Sequence, residues 1–159
     1  MTVFYHKAGE IGQRLKDLGQ TVSVAESSTG GLISANLLAV PGASSYFVGG
    51  SVVYTLKSRR AYLDFDKQRL KALKPLTEEM VLEFARAARD KLDTTWGIAE
   101  LGATGPAGTP YGHGPGISVI GIVGPEITHI KIETHSANRE ENMQAFTKAA
   151  LDLFFTVLS

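Results

Sequence analysis

Near the end of the chain two apolar runs, ISVIGIV (117–123) and ITHIKIET (127–134), are separated only by Gly124-Pro125-Glu126. Each carries three isoleucines, the first with two valines as well, and both read as strands. A connection this short permits only an antiparallel pair, because parallel neighbours need a crossover of a dozen or more residues. The first half of the chain has a different rhythm. Ile11, Leu15 and Leu18 recur at helical spacing over 8–19, and a short strand follows at 22–25. A small-residue apolar helix spans 31–40 and stops at Pro41-Gly42; a strand rich in valine, tyrosine and glycine covers 47–55. After a polar segment carrying Lys57, Arg59 and Arg60, Thr77-Glu78-Glu79-Met80 opens a helix. Its Met80, Val81, Phe84, Ala88 and Leu92 fall on one side. A third strand at 96–101, a loop at 104–115 and a closing helix at 138–157 complete the chain. Strands separated by helices early, and a hairpin late, predict a single α/β domain over 1–159. The expected architecture is a three-layer α/β/α sandwich with a mixed sheet of about five or six strands.

Composition narrows the function classes. With 159 residues and 43% hydrophobic content, the chain is long enough to bury a core without staples. Sixteen basic and sixteen acidic side chains cancel, so the charge gives no case for nucleic acid or an anionic membrane. The lack of cysteine removes disulfides and thiolate metal sites, and the histidines fall at no metal-ligand spacing. No signal-like opening and no apolar run near 18 residues is present, so the expectation is a cytoplasmic protein without metal or cofactor.

In a layered α/β domain the loops beyond the strand carboxyl ends usually form the ligand site. Three loops qualify. The first, in VSVAESSTGG (22–31), joins a strand to a helix through Glu26, Ser27, Ser28, Thr29, Gly30 and Gly31. Exposed N–H groups there suit an anion or oxyanion; the pattern fits equally a plain turn in which Ser27 or Ser28 is the N-cap and the glycines allow close packing. The second loop follows Tyr54 and carries Lys57 and Arg59, either a solvated helix face or a source of cations. The third, GATGPAGTPYGHGPG (102–116), has glycines that let backbone approach a ligand, and His113, which is either an acid–base candidate or an exposed side chain.

Together AESSTGG, VPGASSYFVGGSVVYT and GATGPAG resemble, in order and in register, the C-terminal domain of the CinA (competence/damage-inducible protein) family. The resemblance implies a small α/β domain that self-associates and hydrolyses the carboxamide of nicotinamide mononucleotide or a related pyridine nucleotide. It implies Ser27 as nucleophile, with Ser28 as capping partner, and Tyr54 as a catalytic partner. Gly102, Thr104, Gly105 and Pro106 would shape the substrate site. Glu26, Ser28, Thr29, Gly30, Gly31 and Arg139 would join them in binding. Many members also carry a molybdopterin-binding type domain; this chain looks like a stand-alone version.

The chain departs from the family pattern at four places. The lysine that serves the serine, five residues after the strand tyrosine, is replaced by Arg59, with Lys57 two residues earlier. Arginine stays protonated and cannot act as a base. The family asparagine is Leu56, the loop exit reads Gly114-Pro115-Gly116-Ile117-Ser118, and a second arginine of the last helix is Met143. Two function classes therefore stay open: a serine amidohydrolase, and a non-catalytic relative that binds a nucleotide or acts through assembly.

Overall fold

The structure, a computed structural model, describes residues 4–110 and 112–159. Five strands form one sheet in the order β2-β1-β3-β4-β5. β1 (Val22–Glu26) lies between β2 (Phe47–Val52) and β3 (Trp96–Ala103), parallel to both. β4 (Ile117–Val123) pairs antiparallel with β3, and β5 (Ile127–Glu133) antiparallel with β4, as the short turn requires. The expected mixed three-layer α/β sandwich is the observed one. Burial explains the sequence texture: every residue of β1 is buried, whereas edge strand β5 alternates between exposed and half-buried.

Three helices cover one face: α1 (Lys7–Leu18), α2 (Leu32–Leu38) and α6 (Arg139–Leu158). Their Ile11, Leu15, Ile33, Leu37, Ala150, Leu151 and Phe154 pack on Val22, Val24, Trp96, Ile98, Ile120 and Ile122. Phe154 meets the Trp96 ring edge-on at 5.7 Å between centroids. Leu151, Phe154 and Leu158 of α6 are thus core. On the other face α5 (Glu78–Leu92) sets Val81, Phe84, Ala85 and Ala88 against Ala25, Ala99, Leu101, Val119 and Val123.

The approach of α5 to the sheet depends on one glycine. A Cβ on Gly97 would lie 2.2 Å from the Ala85 carbonyl oxygen and 2.8 Å from Arg89 Cβ. Backbone cannot yield there as a flexible side chain would. Gly97→Ala is expected to cost about 2–3 kcal/mol in urea unfolding through overpacking; an unchanged midpoint would show that α5 can lift from β3 freely.

Two short helices were not legible as such: α3 (Leu56–Tyr62), within the polar segment after Tyr54, and α4 (Lys67–Lys71). Thr55 and Ser58 form a reciprocal capping box at the start of α3, and the Asp66 carboxylate caps α4.

The carboxyl ends of β1, β2 and β3 share one edge of the sheet because the three strands are parallel. In register, Ala103 at the end of β3 faces Ile117, which faces Glu133. The hairpin therefore returns the chain to that same edge and delivers the start of α6 beside the loops after β1 and β3.

Candidate active site

The loop after β1 is held by two buried carboxyl groups, neither more than 0% exposed. Glu26, the last residue of β1, turns toward α2. Its Oε1 accepts from the N–H groups of Gly31 and Ile33, both at 3.0 Å, and from Thr29 Oγ1 at 2.7 Å. Its Oε2 accepts from the Ser34 N–H at 2.9 Å and the Ser34 hydroxyl at 2.8 Å. The donors left open at a helix start are thereby satisfied, and the positive end of the helix faces a carboxylate. This corrects the expected Ser27 or Ser28 cap: Gly31 stands at the N-cap, and Glu26 does the capping. Gly30 and Gly31, at φ +65° and +101°, make the backbone turn that lets a strand-end carboxylate reach the helix it precedes.

The second carboxyl group is Glu100, in the middle of β3 and missed in the sequence. Oε1 accepts from Ser27 N–H at 3.2 Å, Thr29 N–H at 2.9 Å and Thr29 Oγ1 at 3.0 Å. Oε2 accepts from the hydroxyls of Ser28 at 2.5 Å and Ser118 at 3.0 Å. Burial pushes the Glu100 carboxyl above its ordinary range; the hydrogen bonds from Ser28, Thr29 and Ser118 pull the other way but do not outweigh it. Gly102, two residues on, leaves the necessary room. A Cβ there would lie 2.5 Å from Ser28 Oγ and 2.7 Å from Glu100 Oε2.

Ser27, Tyr54, Arg59 and Gly102 line one pocket of about 330 Å³, with apolar walls from Leu56, Pro75, Leu76, Met80, Leu101 and Pro110, and with Thr109. Leu76 holds φ at +56° in that wall, a left-handed conformation costing an L-residue about 1–2 kcal/mol. The Ser27 side chain is nearly buried, and among the described residues its hydroxyl partner is Arg59, whose Nη2 lies 3.4 Å from Oγ. The guanidinium is itself aimed by two contacts. Its Nε donates to the Val53 carbonyl at 3.0 Å, and its Cζ stands 5.1 Å from the Phe84 ring centroid. Lys57 sits on the exposed side of α3, outside the pocket and without a hydrogen bond or ion pair among the described residues. Two residues along a helix rotate a side chain by about 200°, so Arg59 faces inward and Lys57 outward.

Of the other expected residues, Arg139 reaches the pocket through Tyr54, whereas Glu26, Ser28, Thr29, Gly30, Gly31, Thr104, Gly105 and Pro106 lie outside its lining. Tyr54 is half exposed, and its hydroxyl accepts from Arg139 Nη2 at 3.1 Å. Arg139 also donates through Nη1 to the Gly105 carbonyl, at 2.5 Å. One guanidinium thus bridges the glycine-rich loop and the end of β2. Buried Asn142, another residue missed in the sequence, donates to the Thr104 and Ser136 carbonyls at 2.9 Å and fixes both segments to α6. Pro106 is exposed, and Met143 Cε would be 3.0 Å from a Cβ on Gly30. His113 lies outside the pocket lining and hydrogen-bonds Thr109 through its ring and main chain.

Of the backbone N–H groups from Ser27 to Ser34, that of Ser28 has no acceptor among the described residues. The chemistry available is a hydroxyl beside a fixed cation, with one open main-chain donor next to it. Among the described residues no group of three or more His, Asp or Glu side chains could hold a metal, and no helix is long and apolar enough to cross a membrane.

Residues 5–158 match the family described as CinA C-terminal domain. A CinA-like protein of Gloeothece citriformis is 36% identical over 115 residues, covering 72% of this chain and 28% of its own length. Another from Desulfosudis oleivorans is 34% identical over 146 residues, 90% of this chain and 35% of the relative. The chain thus spans about a third or less of the curated relatives it matches. Among solved structures, competence/damage inducible protein CihA from Agrobacterium tumefaciens superposes with a TM-score of 0.86 at 25% identity, over 100% of both chains. A CinA superfamily protein from Escherichia coli gives 0.86 at 22% identity, over 99% of this chain and 90% of its own, a likeness of fold.

Proposed function

The chain belongs to the CinA C-terminal domain family, and from that membership we propose that it is a serine-dependent amidohydrolase. Its substrate would be the carboxamide of nicotinamide mononucleotide or a related pyridine nucleotide. The observation that carries this reading is the position of Ser27 in a pocket whose apolar walls suit a flat heteroaromatic ring, with Arg59 Nη2 3.4 Å from its hydroxyl. Tyr54 and Arg139 at the pocket's border offer a phenol and a cation to the nucleotide's phosphate.

In this reading Ser27 Oγ bonds to the amide carbon while its proton passes to the amide nitrogen. Cleavage of the C–N bond releases ammonia and leaves an ester on Ser27, which water splits to the carboxylate and free serine. Arg59 remains protonated throughout and supports the oxyanion, as does the Ser28 N–H. Nothing on Arg59 accepts the hydroxyl proton, so turnover is slow for an enzyme of this type. The proposal includes residues 1–159 acting as one domain in a cytoplasmic homo-oligomer, which light scattering on the purified chain would test.

The same arginine favours a second reading, nucleotide binding without turnover. Ammonia release from nicotinamide mononucleotide by the wild type separates the two. Wild-type turnover, rising about tenfold or more in Arg59→Lys once a neutral amine can take the proton, is expected of the amidohydrolase. Absence of ammonia together with calorimetric binding of the nucleotide would sink it in favour of the binding role.

A further inference from the structure

We propose that Glu100 is the positioning residue of the Ser27 loop, an inference that rests on Ser27 being the nucleophile. Glu100 lies within the run Ile98, Ala99, Leu101 of an otherwise apolar, buried strand. A carboxyl group in such a place is costly unless its oxygens are fully engaged. They are engaged mostly by the loop itself. Ser27 gives its N–H, Ser28 its hydroxyl, and Thr29 both its N–H and its hydroxyl. The Ser118 hydroxyl, on β4, ties the same carboxyl to the neighbouring strand. Consecutive residues around the nucleophile thus converge on one group, which in turn is fixed to the centre of the sheet.

The geometry separates positioning from proton transfer. Glu100 touches the main chain of Ser27, whereas the Ser27 hydroxyl faces Arg59. Glu100 is absent from the pocket lining, and Gly102, which lies in that lining, leaves space for Oε2 and the Ser28 hydroxyl. The Ser27 N–H is shared between the Glu100 main-chain carbonyl at 3.1 Å and Oε1 at 3.2 Å, and the Thr29 N–H goes to Oε1, so the intervening Ser28 N–H is the donor left over. Glu100 therefore sets the direction of the nucleophile and determines which main-chain donor stays available beside it, without exchanging a proton with substrate.

The test compares Glu100→Leu, Glu100→Gln and Ser118→Ala with the wild type, in ammonia release from nicotinamide mononucleotide and in thermal unfolding. Glutamine keeps an acceptor for the two N–H groups, and its amide faces hydroxyls that can turn to accept. The expected result is a fall in kcat of about 100-fold for folded Glu100→Leu with KM within about threefold. Glu100→Gln should return kcat to within about fivefold of wild type, a recovery that mere filling of the core would not produce. Should Glu100→Leu not fold, Ser118→Ala loosens the carboxyl from β4 and should lower kcat about three- to tenfold at constant KM. Folded Glu100→Leu with kcat within threefold of wild type overturns the proposal, as does unchanged Ser118→Ala where leucine fails to fold.

If the wild type releases no ammonia, the amidase reading fails, and Glu100 is read from the labelling of Ser27 by a fluorophosphonate, followed by mass spectrometry. In that reaction the Oγ–P bond forms as P–F breaks, with loss of fluoride and the hydroxyl proton. Slower labelling in Glu100→Leu than in wild type and Glu100→Gln supports the positioning role. Equal labelling, or none in the wild type, overturns it.

Discussion

Ser27→Ala is expected to lose ammonia release from nicotinamide mononucleotide by at least about 1,000-fold while leaving the unfolding midpoint nearly unchanged. The reason lies in how the Ser27 hydroxyl is held. The loop is fixed through the Ser27 N–H, the Ser28 hydroxyl and both donors of Thr29, so removing Oγ deletes the proposed nucleophile without releasing its support. The lost contact, to Arg59 at 3.4 Å, is long and contributes little. Nucleotide affinity measured by calorimetry should stay within about threefold, because the apolar walls and Arg59 remain. Residual turnover close to wild type would remove Ser27 from the chemistry altogether.

Glu26→Leu is expected to have the largest effect on stability, about 3–5 kcal/mol in urea unfolding, because it strips several donors of their only carboxylate at once. Gly31, Ile33 and Ser34 each lose a main-chain acceptor at 2.9–3.0 Å. Glu26→Gln retains one oxygen and should cost less, about 1–2 kcal/mol. A Glu26→Leu protein as stable as wild type would mean that water reaches the start of α2 and replaces the carboxylate. Glu26, at the end of β1, serves the helix, whereas Glu100, inside β3, serves the loop before it.

The parts of the fold that were legible in the sequence are those whose burial imposes a period. The 117–134 hairpin, the fully buried β1 and the one-sided α5 each left an apolar pattern that only one arrangement satisfies. Helices α3 and α4 have no buried residue, so no periodicity marks them, and only their caps were available as signals. At the site, the motif residues Ser27, Tyr54, Arg59 and Gly102 stood out and line one pocket. Glu100 did not, because an acid between Ala99 and Leu101 contradicts the pattern of a buried strand and the strand reading passes over it. Such a contradiction was itself the signal: a carboxyl that must be buried must also be bonded. The Ser27 or Ser28 cap was misplaced for a related reason. Local spacing favours the nearest hydroxyl, but the two left-handed glycines let an acid several residues upstream reach the helix first.

The Thr29 hydroxyl lies 2.7 Å from Glu26 Oε1 and 3.0 Å from Glu100 Oε1. It owns a single proton and can satisfy only one of them at a time. The two acids are consequently not separate parts. Altering either redistributes that proton toward the other, so energetic costs measured at Glu26 and at Glu100 should fail to add in a double-mutant cycle. Helix start and Ser27 loop form one thermodynamic unit, joined through the hydroxyl of a single threonine.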